Sequence, residues 1–367
     1  MARTTVIQTI GADPAPELLA AWERLADDAS ASPFLYPGFV LAWWRAFGDG
    51  QLSVALTRED ERLVALLPLV ERGRALATPA NWHTPESGVL AASESDAAAL
   101  VADLLARRPR RLSLAFLDRA APATQALGAA IERAGYRLVE RPLNTAPFLE
   151  LTGDWGSFEQ ALPKRDRRPL RRRTRRLAEL GTVEWDVSDG GSGDLDARFE
   201  EIVAIEAMGW KSEQGTAIRS QPETLRFYRE VVEWGAARGW LRMQALRLDG
   251  RALAVAFGLQ AHGVLHSLKT GFDPEHRALG PGVLLMQDLV RQGFSDGLTR
   301  IELLGDADPY KRMWSSGARE RIALQAFSPR PAGRLDHLVF AHGIPLAKRV
   351  GAGRLRRLLP SSDRPRI

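Results

Sequence analysis

The chain has 367 residues, 45% hydrophobic and 26% charged, the composition of a globular protein with room for two domains or one elaborated α/β unit. It contains no cysteine, which excludes disulfides, thiolate metal sites and a cysteine nucleophile. Its net charge of +5 is unevenly placed: Lys164 to Arg176 holds nine basic residues and one acid, Ala347 to Ile367 seven and one, and the remainder is net acidic, unlike the evenly basic surface of a dedicated nucleic-acid binder.

No apolar run reaches the roughly 18 residues of a membrane span, and the start, MARTTVIQTIGADPAP, lacks the apolar core of a signal peptide. A cytoplasmic location is expected, with peripheral contact to the inner membrane as an option for the basic tail. In chain order, Pro16 to Asp27 and Pro37 to Phe47 read as helices, and Leu52 to Thr57 and Leu63 to Val70 as strands across a charged turn. Ser95 to Arg107 reads as a helix, Arg111 to Leu117 as a strand, Pro122 to Ala134 as a helix stopped by Gly135, and Pro147 to Leu151 as a strand. Trp155 to Leu180 is mostly helical, and Pro169 places its start or a kink near Asp166.

Thr182 to Val187 is the next expected strand, followed by a glycine-rich linker from Asp189 to Asp194. Helices over Leu195 to Met208 and Pro222 to Ala237 precede three strands: Trp240 to Leu248, ended by the hairpin signal Asp249-Gly250, then Ala252 to Gln260 and Val264 to Phe272. A helix from Pro281 to Phe294 and strands over Arg300 to Leu304 and Ile322 to Phe327 complete the pattern. Each half thus holds helices, a strand meander, a helix and another strand, a coarse duplication.

The segment HRALGPGVLLMQDLVRQGF opens on a loop and continues as an amphipathic helix. Pro281 suits the first helical position, and the amides around Gly280 to Leu284 would point outward at a positive helix end. An anion of pyrophosphate type fits there, with Arg277 adding a charge-assisted contact; an ordinary strand-to-helix loop is the other reading. The loop follows an antiparallel meander, which is not the parallel setting of a dinucleotide-binding unit.

Arg277-Ala278-Leu279-Gly280-Pro281-Gly282 resembles the R/Q-x-x-G-x-G/A loop of the GNAT acyltransferase superfamily. EAMGWKSEQGTAI, LKTGFDPEHRALGPGVLL and ELLGDADPYKRMW resemble its cellulose-biosynthesis (CelD-like) branch, which is related to FemAB-type double-GNAT proteins; the resemblance spans about residues 30 to 328. It implies an α/β (α+β) fold of tandem GNAT-like domains, each a mixed, mostly antiparallel sheet flanked by helices. It also implies that the loop and its helix (Arg277, Gly280, Gly282, Val283, Leu284) bind the pyrophosphate of acetyl-CoA or another acyl-CoA. The first half has no such loop; NWHTPESGVL stands in the analogous place, so that half is expected to be a degenerate copy that shapes the acceptor side. The expected division is 1–150, an arginine-rich connecting helix 151–181, a donor-binding domain 182–330 and a basic tail 331–367.

By the same resemblance the strand VLHSLKTGF faces the thioester, so His266, Lys269 and Thr270 are candidates for catalysis or substrate contact. The alternative for His266 is a hydrogen-bonded sheet histidine. Tyr310 stands where many GNAT enzymes protonate the leaving thiolate, and a phenol of pKa about 10 is a proton donor at neutral pH. Asp306 and Asp308 are candidates for a base or for turn caps, Lys311 for a carboxylate or phosphate contact, and Glu206, Trp210 and Lys211 for the acceptor. No metal is expected. The implied function is acyl-CoA-dependent N-acyl transfer, acetyl above all, to an amine of a sugar, polysaccharide precursor or amino-acid-like molecule by direct attack in a ternary complex. The rivals are a FemAB-like transferase using aminoacyl-tRNA and a non-catalytic scaffold in exopolysaccharide assembly. The arginine helix is either a solvated face or the contact for an anionic partner such as tRNA, an acidic acceptor, the cofactor phosphates or an anionic membrane.

Overall fold

The computed structural model describes residues 3–191, 194–208 and 217–340. The chain divides into two compact units, 1–29 with 48–143 and 321–367, and 30–47 with 144–320. These bounds interleave, whereas the sequence reading divides the chain sequentially.

In the first unit, strands β1 (Arg3–Thr9), β2 (Gln51–Glu59), β3 (Arg62–Arg72) and β4 (Ala75–Ala77) form an antiparallel run. The two-residue β5 (Leu90–Ala91) also pairs with β3. β4 pairs in parallel with β6 (Arg111–Asp118), and β6 pairs antiparallel with the later part of β13 (Gly317–Phe327). Helices α1 (Pro16–Asp28), α3 (Glu94–Ala106) and α4 (Pro122–Arg133) belong to this unit, and Leu100, Leu104, Leu127 and Ile131 pack with Leu67, Leu112 and Leu324 in its core.

The second unit repeats the order. β8 (Val183–Ser188), β9 (Leu241–Leu248), β10 (Arg251–Ala261) and β11 (Val264–Phe272) run antiparallel; β11 pairs in parallel with β12 (Arg300–Glu302), and β12 pairs antiparallel with the end of β7 (Arg137–Glu150). The expected coarse duplication is therefore present, and each sheet is completed by a strand from the other half of the chain. The helices are α2 (Pro37–Phe47), α5 (Trp155–Ala161), α6 (Lys164–Ala178), α7 (Leu195–Glu206), α8 (Pro222–Ala237), α9 (Pro281–Ser295) and the short α10 (Pro309–Arg312).

Aromatic residues explain why α2 belongs here. Phe39 and Phe47 meet Phe227 of α8 at ring distances of 5.4 and 5.3 Å, and Arg45 pairs with Glu230 at 3.2 Å. Gly38 admits Trp234: a Cβ at 38 would sit 2.1 Å from the indole nitrogen. Gly38→Ala is expected to destabilise the protein by about 1–3 kcal/mol through overpacking, read as a lower denaturant midpoint; an unchanged midpoint would show that the indole moves freely.

Several expectations shift. The predicted helix over Trp155 to Leu180 is two helices, because Pro163 holds Leu162 extended (ψ 136°); the second, α6, starts at Lys164, two residues before the expected start near Asp166. Pro169 nevertheless lies inside α6. The predicted strand at Pro147 is the end of the long β7, and β13 starts five residues before Ile322. β1 escapes prediction because its pattern is mostly exposed and carries no apolar alternation. The glycine loop does join two parallel strands, β11 and β12, so the expectation of a non-parallel setting is corrected. The chain after 330 begins as helix α11 (Pro331–Leu338), tied to the first unit by a bidentate Asp336–Arg110 pair; residues 341–367, and with them most of the basic tail, lie outside the described residues. Among the described residues no helix is long and apolar enough to cross a membrane.

Candidate functional site

Parallel pairing of β11 with β12 lasts only from Val264↔Arg300 to His266↔Glu302. β12 then ends, and β11 continues to Phe272 with no strand on that side among the described residues. A register shift on the β10 side leaves Leu268 as an extra residue, a bulge at the point where the two parallel strands part.

From Phe272 the chain enters a 3₁₀ turn, Pro274–Leu279, capped by Asp273, whose carboxylate accepts from the Glu275 amide at 3.0 Å. Burial pushes the Asp273 carboxyl up, but that amide, His276 and Arg251 outweigh it and hold the pKa below the ordinary value. Asp273, Glu275 and His276 bring ligand atoms within 4.8 Å of one another. Arg251 already bonds Asp273 at 2.7 Å and Glu275 at 3.4 Å, so the cation this cluster suits is the guanidinium.

Gly280 (φ 65°, ψ 47°) makes the left-handed step into α9. Its carbonyl accepts from the amides of Val283 and Leu284 at 3.1 Å. Pro281 has no N–H, so the Gly282 amide is the donor left without a partner among the described residues. Gly280, Gly282 and Val283 are half-buried, Arg277 is exposed, and Leu284 is buried in the core. Of the residues predicted for phosphate, the helix entrance thus shows one free amide and two half-buried glycines, with Arg277 exposed in the turn before it.

After β12 the chain bends through Leu304 (φ 52°) and Gly305 (φ 58°). A left-handed leucine costs about 1–3 kcal/mol. Lys311 holds the bend: its buried ammonium donates to the carbonyls of Leu304 at 2.7 Å and Asp306 at 3.0 Å, and lies 3.5 Å from Asp308. Asn144 adds a bond to the Gly305 carbonyl at 3.0 Å, which nothing in the sequence signalled. Asp308 is the N-cap residue of α10 but makes no side-chain cap bond, and Asp306 is exposed. Lys311→Met would leave two carbonyls without their donor; a loss of about 1–3 kcal/mol is expected, measured by denaturation, and no loss would mean that water replaces the ammonium.

Tyr310, 41% exposed, is what this bend presents, and it hydrogen-bonds with Thr270 on the open edge of β11. Partial burial raises its pKa above the ordinary phenol value, the Thr270 bond opposes that, and Asp308 adds to it. The structure thereby joins two predicted residues across the gap between the diverging strands. His266 lies elsewhere: Leu265 faces the core beneath α9, so its neighbour points to the opposite face, edge-on to Phe34 at 5.1 Å. Lys269 sits over the ring of buried Tyr228 at 5.0 Å, and burial with the nearby Glu206 charge pushes that phenol's pKa up. Glu206 is buried and accepts from the Ile218 amide at 3.0 Å, while Gly271 lets β11 approach it, since a Cβ there would lie 2.5 Å from the Glu206 Cα. Trp210 and Lys211 lie outside the described residues.

Two parallel strands that diverge, with a glycine-entered helix between them, frame the candidate site. Residues 164–312 match the family model described as an acetyltransferase (GNAT) domain. FemX superposes with a TM-score of 0.57 at 11% identity, over 91% of this chain and 99% of its own. The C-terminal domain of a candidate lysylphosphatidylglycerol synthetase from Agrobacterium fabrum gives a TM-score of 0.52 at 13% identity, over 87% and 96%. A conserved protein of unknown function from Bacteroides thetaiotaomicron gives 0.52 at 12%, over 84% and 97%. No curated protein matches the sequence. At these identities the likeness is one of fold.

Proposed function

We propose that the protein is an acyl-CoA-dependent N-acyltransferase with acetyl-CoA as donor, acting on an amine of a sugar, a polysaccharide precursor or an amino-acid-like molecule. The observation that carries this reading is the Tyr310–Thr270 contact on the open edge of β11, the strand whose Phe272 meets Gly282 at the entrance of α9. When bound, the donor supplies the thioester; its pyrophosphate lies against the Gly282 amide, with Arg277 alongside. The exposed amides of β11 polarise the thioester carbonyl and stabilise the oxyanion formed as the amine attacks. As the C–S bond breaks, Tyr310 gives its proton to the departing thiolate; the new amide nitrogen releases its proton to water, and the phenol is re-protonated from solvent. With no cysteine to carry the acyl group, direct attack in a ternary complex is the simplest route. Glu206 and Lys269 serve the acceptor side in this reading, and Lys311 positions the acid.

Calorimetry with acetyl-CoA, followed by thiol release across a panel of amino sugars and amino acids, tests the proposal. Binding together with amine-dependent release is expected. Binding without release for any amine would favour the scaffold; no binding would end the reading.

One observation favours a second reading. Lys164, Arg168, Arg172 and Arg176 recur every fourth residue along α6, all exposed, a row suited to a polyanionic donor such as aminoacyl-tRNA. It predicts tRNA binding that weakens steeply with salt.

A further inference from the structure

The inward face of α6 carries Leu170 and Leu177, both fully buried in the cluster that holds Leu279 and Leu284. These leucines fix α6 beside the glycine bend. Arg173, one turn after Leu170, falls on that same face and is half-buried. A Cβ built on Gly280 would lie 3.0 Å from its Cδ and Nε and 3.2 Å from its Cζ. The guanidinium therefore rests against the bend itself.

Other arginines of this helix find carboxylates: Arg165 meets Asp166, Arg171 meets Glu159, and Arg175 meets Glu179. Among the described residues no acid pairs with Arg173. A half-buried cation against Gly280, at the positive end of a helix whose Gly282 amide has no partner among the described residues, is electrostatically unfavourable alone. An anion between them turns that repulsion into attraction.

We propose that Arg173 is a donor-specificity residue: its guanidinium binds a phosphoryl group of the thioester donor at the Gly280–Gly282 bend, so that phosphorylated acyl carriers are selected over bare pantetheine thioesters. This rests on the acyl-CoA reading above. It also separates Arg173 from the outward row of α6.

The test compares acetyl-CoA with acetyl-pantetheine, which has the same thioester and no phosphate, as donors for wild type, Arg173→Gln and Arg173→Lys, with thermal unfolding of each. For Arg173→Gln, KM for acetyl-CoA is expected to rise about 10- to 100-fold, the scale of a lost hydrogen bond to a charged group. Its kcat at saturation and its KM for acetyl-pantetheine should not change, and Arg173→Lys should keep part of the affinity. An equal loss with both donors would make Arg173 merely structural, and an unchanged KM for acetyl-CoA would remove it from the site; either overturns the proposal. If wild-type protein neither binds acetyl-CoA nor releases thiol, the acyl-CoA reading itself fails and this assignment falls with it.

Discussion

Gly282→Trp is expected to abolish acetyl-CoA binding while the fold survives. A Cβ at 282 would meet Phe272 at 3.4 Å, an ordinary contact, and Gly282 is not among the residues of positive φ. The backbone therefore accepts a side chain there. The indole would occupy the space in front of the one free amide of the helix entrance. Calorimetry should show affinity down by more than about 100-fold, or 2.7 kcal/mol, with thermal unfolding near wild type. Retained affinity would mean that no phosphate rests at this bend. Gly280 is the instructive contrast: its φ of 65° and the adjacent Arg173 make Gly280→Ala strain the backbone, so loss of binding there would not separate site from fold.

Tyr310→Phe should lower kcat by about 100- to 10,000-fold, the range for removal of a general acid, and leave KM for acetyl-CoA unchanged. Because the folded-state pKa is raised, the acid stays protonated past the ordinary phenol value of about 10. The wild-type rate should accordingly fall only on the far alkaline side, and the phenylalanine variant should lack that limb. Equal kcat in the two proteins would assign thiolate protonation to water. Lys311→Met offers a useful comparison: it moves the phenol without removing it, so part of the alkaline limb should remain.

Much of this was legible in the sequence because it is written in local signals. Pro222 to Ala237 and Val264 to Phe272 fall on their predicted bounds, and the helix after the glycine bend starts at Pro281 as proline chemistry requires. Pairing partners were not legible. Nothing local says that β7 leaves the first half to pair with β12, or that Phe39 packs on Phe227 some 190 residues away. At the site, Tyr310 and the glycines announce themselves by motif. Arg173 hides among eight other basic residues of its run, and only its contact with Gly280 in three dimensions shows that it meets the bend.

The exchanged last strands also order events during synthesis. The first sheet is finished only by residues from Arg321 onward, long after β6 has emerged. At roughly 5–20 residues per second, the nascent first half waits many seconds with an unpaired edge exposed. Its maturation is coupled to that of the second half, so a gene split between them is expected to yield two partners that fold only together.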